Sequence, residues 1–196
     1  MESKAWPGSY TDRAINSVVK SSRMPFLWTT SDTKGAFYTS LIPVGAYITG
    51  HMICSGDRQL GTWLNSLRKP DWAPRDLKSA CCMGDLLTMA PLGYATYKTF
   101  KTGGGFDYRD TQIAMGLFGA NMLFYLGKAY CLSQRDLKCL HLNKLFLSVT
   151  ALGAAYLYGK IDTNSGYCWI PYCFWTLFGT ILSYNLWKKN EDTARE

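Results

Sequence analysis

The chain has 196 residues, 47% hydrophobic and 15% aromatic, and a net charge of +7 at neutral pH. A chain of this length is expected to form one domain that is large enough to bury a hydrophobic core. Its lysines and arginines lie between apolar windows and form no continuous basic patch, which argues against a nucleic-acid-binding protein and favours cations flanking membrane segments. The mean hydropathy of −0.09 is that of a soluble protein, but it averages polar ends with long windows almost free of charge.

The cysteines predict neither a disulfide framework nor a zinc site. They are odd in number and contain no Cys-x-x-Cys pair. We expect them to be small buried hydrophobic residues in a reducing compartment or in lipid. The seven positions are Cys54, Cys81, Cys82, Cys131, Cys139, Cys168 and Cys173.

Residues 1–35 are predicted to form a polar N-terminal tail, with a short helix at Asp12–Ser21 and no apolar core of a secretory signal peptide. The first apolar window, 36–56, is interrupted by Pro43. Membrane helices tolerate such prolines because neighbouring helices satisfy the freed backbone groups. Near its end, His51 is expected to reach the interface or to be hydrogen-bonded rather than to bind a metal.

A polar connector, 57–78, follows the first window and contains two tryptophans and two prolines. The prolines fix φ and bar a continuous helix, so we predict a stiff loop. Its large rings need an apolar surface to cover. The residues that define its pattern are Trp63, Leu67, Lys69, Pro70, Trp72 and Pro74.

Four further apolar windows follow, at 79–98, 111–132, 144–160 and 166–188. In the second window Asp85 would cost about 2.5–3.5 kcal/mol at mid-bilayer, so it must face the bundle interior, water or the interface. The third holds Gly116 and Ala120, a small-x-x-x-small pair that permits close helix approach within one subunit or in a dimer. The fourth is short, so Lys144 and Lys160 are expected to snorkel to the interface.

Together these windows predict an all-α membrane protein, a bundle of five transmembrane helices over residues 36–188, followed by a C-terminal tail at 189–196. The last window is the strongest, since Thr163 to Trp187 carries no charge and about 20 apolar residues suffice to cross a bilayer. A soluble helical bundle is the alternative. Lysine and arginine are in excess on the side of the first and third connectors, which predicts a cytosolic C-terminus.

The connector pattern W-x(3)-L-x-K-P-x-W-x-P resembles the translocator protein family, the TspO proteins of bacteria and the peripheral-type benzodiazepine receptor of mitochondria. Gly93 and Tyr97 match the Gly-x-x-x-Tyr of that family. Asn121 matches the asparagine that opens its N-W-x-W motif. The last window carries both P-Y-x-x-W and L-x-Y-x-x-W-K, at Pro171, Tyr172, Trp175, Leu182, Tyr184, Trp187 and Lys188. The chain departs from the family's aromatic residues at Met83, Leu87, Met122 and Phe124.

The resemblance implies a pocket between five helices, closed by the first connector. Carried over by motif, the ligand-binding residues are Trp175, Phe178, Gly179, Leu182, His51 and Cys54. The lid residues are Trp63, Lys69, Pro70, Trp72 and Pro74. A cholesterol motif would consist of Leu182, Tyr184 and Lys188, and the dimer helix would present Gly116 and Ala120.

The function implied by the resemblance is binding, and transport, of lipophilic ligands within the membrane: porphyrin or haem precursors, cholesterol or steroid-like molecules, and benzodiazepine-type compounds. The alternative is a membrane scaffold or signalling protein with structural cholesterol. No catalytic motif occurs, so we expect no enzyme and no cofactor, with protoporphyrin IX or haem as candidate ligands. Expected partners are the bilayer, sterol, porphyrin, a second copy of the chain and outer-membrane proteins, but no nucleic acid. The implied location is the mitochondrial outer membrane.

Overall fold

The computed structural model describes residues 28–193, and the predicted helix Asp12–Ser21 lies outside them. The described part of the chain contains α-helices and one short 3-10 turn and no strand, which confirms the all-α prediction. The helices are α1 (Thr30–Gly56), α2 (Arg58–Ser66), α3 (Leu77–Met89), α4 (Leu92–Thr102), α5 (Arg109–Ser133), α6 (Leu137–Ile161) and α7 (Thr163–Thr193), with the 3-10 turn at Gly105–Asp107.

Five rods form the bundle, and α3 with α4 makes up one of them. Helix α1 contacts α4 and α5, α5 contacts α6, α6 contacts α7, and α7 returns to α3 and α4, so the rods close into a ring. The predicted span 79–98 falls on helices α3 and α4, which are separated at Ala90 and Pro91. Proline has no N–H to donate to the preceding turn, which accounts for the break.

The helix bounds also differ from the predicted windows at the two ends of the described chain. Helix α1 begins at Thr30 rather than at residue 36, and α7 continues past residue 188 to Thr193. The early start of α1 follows from a capping box, in which the Thr29 and Asp32 side chains each accept a hydrogen bond from the backbone of the other residue. Among the helices of residues 28–193, none is both long enough and apolar enough to cross a membrane.

Asp32 ties the start of α1 to the end of α4. Its carboxylate forms an ion pair with Lys101 and accepts a hydrogen bond of 2.7 Å from the hydroxyl of Tyr97. The Lys101 ammonium first, and then the hydrogen bonds from Thr29 and Tyr97, hold the pKa of Asp32 well below its ordinary value of 3.8. The matched Tyr97 therefore has a structural role at this end of the bundle.

This pKa shift predicts a loss of stability in acid. Because the folded-state pKa of Asp32 is depressed, its carboxylate stabilises the fold above pH 3.8, and that contribution is lost as the pH falls towards the folded pKa. We expect the thermal midpoint of the protein in detergent micelles to fall on acidification below pH 3.8 more steeply than that of Asp32→Asn. Parallel pH profiles of the two proteins would contradict the prediction.

Other ion pairs close the same end of the bundle. Lys98 on α4 lies 3.1 Å from Asp162, which stands between α6 and α7, and Lys160 on α6 lies 2.9 Å from Asp110 on α5. Asp162 also accepts a 2.8 Å hydrogen bond from the backbone of Ser165, which fixes the tight turn into α7. This end, formed by the starts of α1 and α7 and the ends of α4 and α6, is called the strapped end below.

The core is held by a buried asparagine and a cluster of aromatic rings. The Asn121 amide on α5 donates to the backbone oxygen of Leu147 on α6 and accepts from the Tyr172 hydroxyl on α7, at 3.0 and 2.8 Å. Trp169 is fully buried and packs edge-on against Phe118. A buried amide on α5 with partners on two other helices fixes the mutual rotation of the three.

A disulfide joins Cys131, near the end of α5, to Cys139, near the start of α6. The prediction that all cysteines are single small hydrophobic residues is therefore wrong at these two positions. Arg135, with φ of 56°, reverses the chain between the helices, so two cysteines eight residues apart come within 5.6 Å at their Cα atoms. The free cysteines of the described residues are Cys54, Cys81, Cys82, Cys168 and Cys173.

Candidate functional site

The bundle contains a cavity at the end opposite the strapped end. The connector between α1 and α3 covers it, and α1, α3, α5, α6 and α7 form its walls. It holds about 110 Å³ of free space. The lining is mostly apolar, with polar groups concentrated on its floor. Lining residues are Tyr47, Gly50, His51, Cys54, Leu60, Leu64, Leu77, Lys78, Cys81, Cys82, Asp85, Tyr125, Lys128, Leu132, Leu140, Lys144, Gly179, Leu182, Ser183 and Leu186.

Asp85 organises the floor of the cavity. This residue is 5% exposed and forms an ion pair with Lys128 on α5. One of its carboxylate oxygens also accepts from the Tyr125 hydroxyl at 3.1 Å, and the other accepts from the Trp175 indole at 2.7 Å. Of the three environments expected for Asp85, namely the bundle interior, water and the interface, the structure shows the interior. A buried carboxylate needs such partners, because leaving it unpaired would cost several kcal/mol.

Lys144 brings a second ammonium group to the cavity. It was predicted to snorkel to the interface, but that prediction is wrong, because the residue is 8% exposed and points between the helices. It lies against Gly179, where an added Cβ would come within 3.0 Å of the ammonium nitrogen. The absence of a side chain at this glycine therefore gives the lysine its path into the cavity.

Four of the six predicted ligand-binding residues line the cavity: His51, Cys54, Gly179 and Leu182. The other two stand behind it. Trp175 reaches the floor through Asp85 and stacks on Phe178, with ring centroids 5.4 Å apart. His51 is exposed at the mouth, with its ring nitrogens 3.2 Å from the Ser55 hydroxyl and 3.4 Å from the Cys82 sulfur.

The residues at which the chain departs from the family's aromatics lie away from the cavity lining. Met83 and Leu87 are 57% and 69% exposed on the outer face of α3. Met122 is buried in the core, and Phe124 stacks on Phe146 at 5.5 Å. These departures therefore change the outer surface and the core rather than the cavity wall.

The predicted lid residues lie in the connector over the cavity mouth. Trp72 packs edge-on against Phe178 with ring centroids 5.7 Å apart. Pro70 is buried in a turn, and the Lys69 ammonium donates to the backbone oxygen of Arg75 at 3.0 Å, which closes that turn. Pro74 is half-buried beyond the turn.

The connector is not the loop that was predicted, because its first part forms helix α2. The Asp57 side chain caps this helix by accepting from the backbone of Gln59 at 2.8 Å. Trp63 lies on α2 and is half-buried, while Leu60 and Leu64 on the same helix line the cavity. The capping aspartate was the available sequence signal for this helix.

Two side chains that sequence reasoning missed fasten the connector to the bundle. The Asn190 amide near the end of α7 accepts from the Arg68 backbone N–H at 3.0 Å and donates to the Arg68 oxygen at 3.2 Å. Arg135, in the turn between α5 and α6, donates to the Gln59 side chain at 3.0 Å. The covering connector is thus attached at both of its halves.

The three residues of the predicted cholesterol motif do not share one face of α7. Leu182 is buried towards the cavity, whereas Lys188 is exposed and Tyr184 is 43% exposed. Gly116 and Ala120 lie on the outer side of α5, and a Cβ built at Gly116 would meet no atom within 4 Å. Gly116 therefore makes no close packing contact within the subunit, whereas Ala120 is half-buried.

Within residues 28–193, no three His, Cys, Asp or Glu side chains lie close enough together to hold a metal ion. The cavity can instead hold an apolar molecule and present it with a few fixed polar groups. Such a combination is typical of a binding site for a small lipophilic ligand.

Fold and cavity together define an all-helical bundle of five rods with a covered internal binding site. A sequence profile of the TspO/MBR family matches residues 37–188, and the chain belongs to that family. It is 24% identical over 159 residues to the "Tryptophan-rich protein TspO" of Bacillus cereus, which covers 80% of this chain and 97% of that protein. It is also 25% identical over 125 residues to the "Uncharacterized membrane protein YtaB" of Bacillus subtilis, covering 63% of this chain and 77% of that protein.

Proposed function

We propose that the protein is an integral membrane protein that binds a lipophilic ligand in its internal cavity. The observation that carries the proposal is the cavity itself, with apolar walls, a paired charged floor and a cover fastened at both halves. A molecule held there would be shielded from water and oriented by a few polar groups.

Support for a membrane location comes from the outward faces of the helices. Large apolar side chains are more than half exposed on all five rods, whereas Asp85, Lys128, Asn121 and Thr96 are buried inside. A soluble protein rarely exposes contiguous apolar surface on this scale. Examples of outward residues are Phe37, Met52, Leu87, Leu123, Val149, Tyr156, Phe174 and Ile181.

The finer proposal is that the ligand is a porphyrin or haem precursor, a sterol or a benzodiazepine-type compound, and that the protein mediates its transport. The ligand class comes from the family resemblance, and the cavity walls His51, Cys54, Gly179 and Leu182 would contact it. No catalytic step is part of the proposal. A scaffold role, with a second copy on the face of Gly116 and Ala120 and outer-membrane proteins as partners, is the second candidate, favoured by the open space at that face.

The proposed location is the mitochondrial outer membrane with the C-terminus in the cytosol, which rests on the resemblance and on the lysine and arginine excess at the cavity end. Residues Lys78, Arg135 and Lys138 belong to that end.

Titration with protoporphyrin IX tests the binding proposal. The protein is placed in nanodiscs, and quenching of tryptophan fluorescence is followed for the wild type, Trp175→Phe and Leu182→Ala. We expect saturable binding that both changes weaken, by about tenfold for Leu182→Ala, because a cavity wall residue loses about 1–3 kcal/mol of apolar contact. Trp175→Phe loses the hydrogen bond to Asp85 and so loosens the floor.

Leu123→Ala serves as the matched control, since it removes the same atoms as Leu182→Ala from a leucine that is 71% exposed on the outer face of α5. Its affinity should equal that of the wild type. An absence of binding by a folded wild-type protein, or an equal loss in Leu123→Ala and Leu182→Ala, would contradict binding in the cavity.

A further inference from the structure

The Lys144 side chain is buried at the cavity, and its amino group is directed into it. Among the described residues no carboxylate lies within ion-pair distance of it. The nearby carboxylate, Asp85, already accepts from Lys128, Tyr125 and Trp175. The cavity lining therefore contains three lysines, including Lys78, but one aspartate, and its charge is positive.

Packing holds Lys144 in this position. Its carbon chain runs across α7 at Gly179, with its Cε and Cδ atoms 3.5 and 3.6 Å from where a Cβ would stand. Its backbone oxygen accepts a 3.0 Å hydrogen bond from the Thr180 hydroxyl on the same neighbouring helix. The ammonium is thus directed into the cavity by contacts on two sides, and the side chain has little freedom to reach the surface.

An unpaired buried cation is unfavourable, since charges taken from water lose several kcal/mol unless an opposite charge replaces the water. A methionine or leucine would fill the same space between α6 and α7 without that cost. An anion that entered the cavity would supply an opposite charge in place of the lost water and would favour the charged form of Lys144. Neutral ligands such as sterols offer no group that could neutralise it.

We infer that the cavity binds an amphipathic carboxylate, whose anionic group pairs with Lys144 and whose apolar body lies along Leu140, Leu182 and Leu186. This inference rests on the proposed binding function and specifies its ligand class. The carboxylate enters from the covered mouth and stops at the ammonium, next to the occupied Asp85. The leucines lie between the ammonium and the mouth side of α6 and α7.

Two probes with the same tetrapyrrole ring test the inference: protoporphyrin IX, which has two carboxylates, and its dimethyl ester, in which both are uncharged methyl esters. Both are titrated against the wild type and Lys144→Met in nanodiscs. Each probe partitions into the lipid equally for the two proteins, so the ratio of their affinities isolates the effect of the ammonium. We expect the free acid to bind Lys144→Met about tenfold more weakly and the ester to bind both proteins equally.

Lys34→Met is the matched control, because it removes the same charge from an exposed lysine near the start of α1, far along the helix from the cavity. It should leave the affinity of both probes unchanged. If circular dichroism shows that Lys144→Met does not fold, Lys144→Gln takes its place with the same expectation.

An equal affinity of the free acid for wild type and Lys144→Met, or an equal loss for acid and ester, would overturn the inference while leaving ligand binding intact. Binding of neither probe by the folded wild type would overturn the binding function as well. The two failures are therefore distinguishable in a single set of titrations.

Discussion

Replacing Asp85 by asparagine should lower the stability of the folded protein by about 3–5 kcal/mol, because it leaves the Lys128 ammonium buried without an opposite charge. Asparagine has nearly the same shape, so the cavity floor keeps its volume and the loss reports the charge. The measurement is the thermal midpoint in detergent micelles, followed by circular dichroism. We expect a clear decrease relative to the wild type.

Removal of both charges is the control for this prediction. In the double variant Asp85→Asn with Lys128→Met, both charges of the ion pair are removed and neither is left buried alone. The thermal midpoint should therefore recover most of the loss. The four proteins of this cycle, including Lys128→Met alone, give the coupling between the two side chains. A double variant that is as unstable as the sum of the single variants would show that the ion pair does not account for the role of Asp85.

Gly93→Ala should destabilise the contact between α1 and α4. A Cβ at Gly93 would lie 2.2 Å from the Cα of Ser40 and 2.7 Å from its backbone nitrogen. Backbone atoms cannot rotate away as a side chain can, so the helices must separate. That movement also breaks the 3.0 Å hydrogen bond from the Thr39 hydroxyl to the Gly93 oxygen. We expect a cost of about 1–3 kcal/mol or more, measured as a lower thermal midpoint.

Gly116→Ala is the matched control for Gly93→Ala, because the same atom is added within a helix but meets nothing within 4 Å. Alanine favours the helix by about 1 kcal/mol over glycine, so this variant should be as stable as the wild type or slightly more stable. If both alanine variants behave alike, the close approach of α1 and α4 does not determine stability at Gly93.

The apolar windows were enough to predict the helical rods, since window length and charge are local properties of the sequence. The cost of a carboxylate in lipid limited Asp85 to the bundle interior, water or the interface, and the structure shows the first of these. The hydrogen-bond and ion-pair partners of Asp85 could not be predicted from the sequence. Lys128 and Trp175 are 43 and 90 residues away along the chain, and their meeting depends on how three helices are rotated.

Lys144 shows why the remaining errors arose. A lysine at the edge of an apolar window is ordinarily expected to turn towards the interface. Its position in the window does not show whether its side chain faces the other helices or the outside of the bundle. The inward path of its side chain depends on Gly179, which lies on α7 and 35 residues later in the chain. The α2 helix was not predicted for a different reason. Pro70 and Pro74 bar a helix only near their own positions, and the helix that Asp57 caps ends before them, at Ser66.

The fold gives the two ends of the bundle unequal character. Ion pairs and the fully buried Leu92, Ala95 and Thr99 fill the strapped end, while the cavity opens under the connector at the other end. In this conformation the cavity is closed towards the strapped end, and its mouth lies at the connector end. A ligand in the cavity would therefore have to leave by the end of the bundle through which it entered. Carriage to the opposite compartment would require the Asp32, Asp162 and Asp110 straps to part.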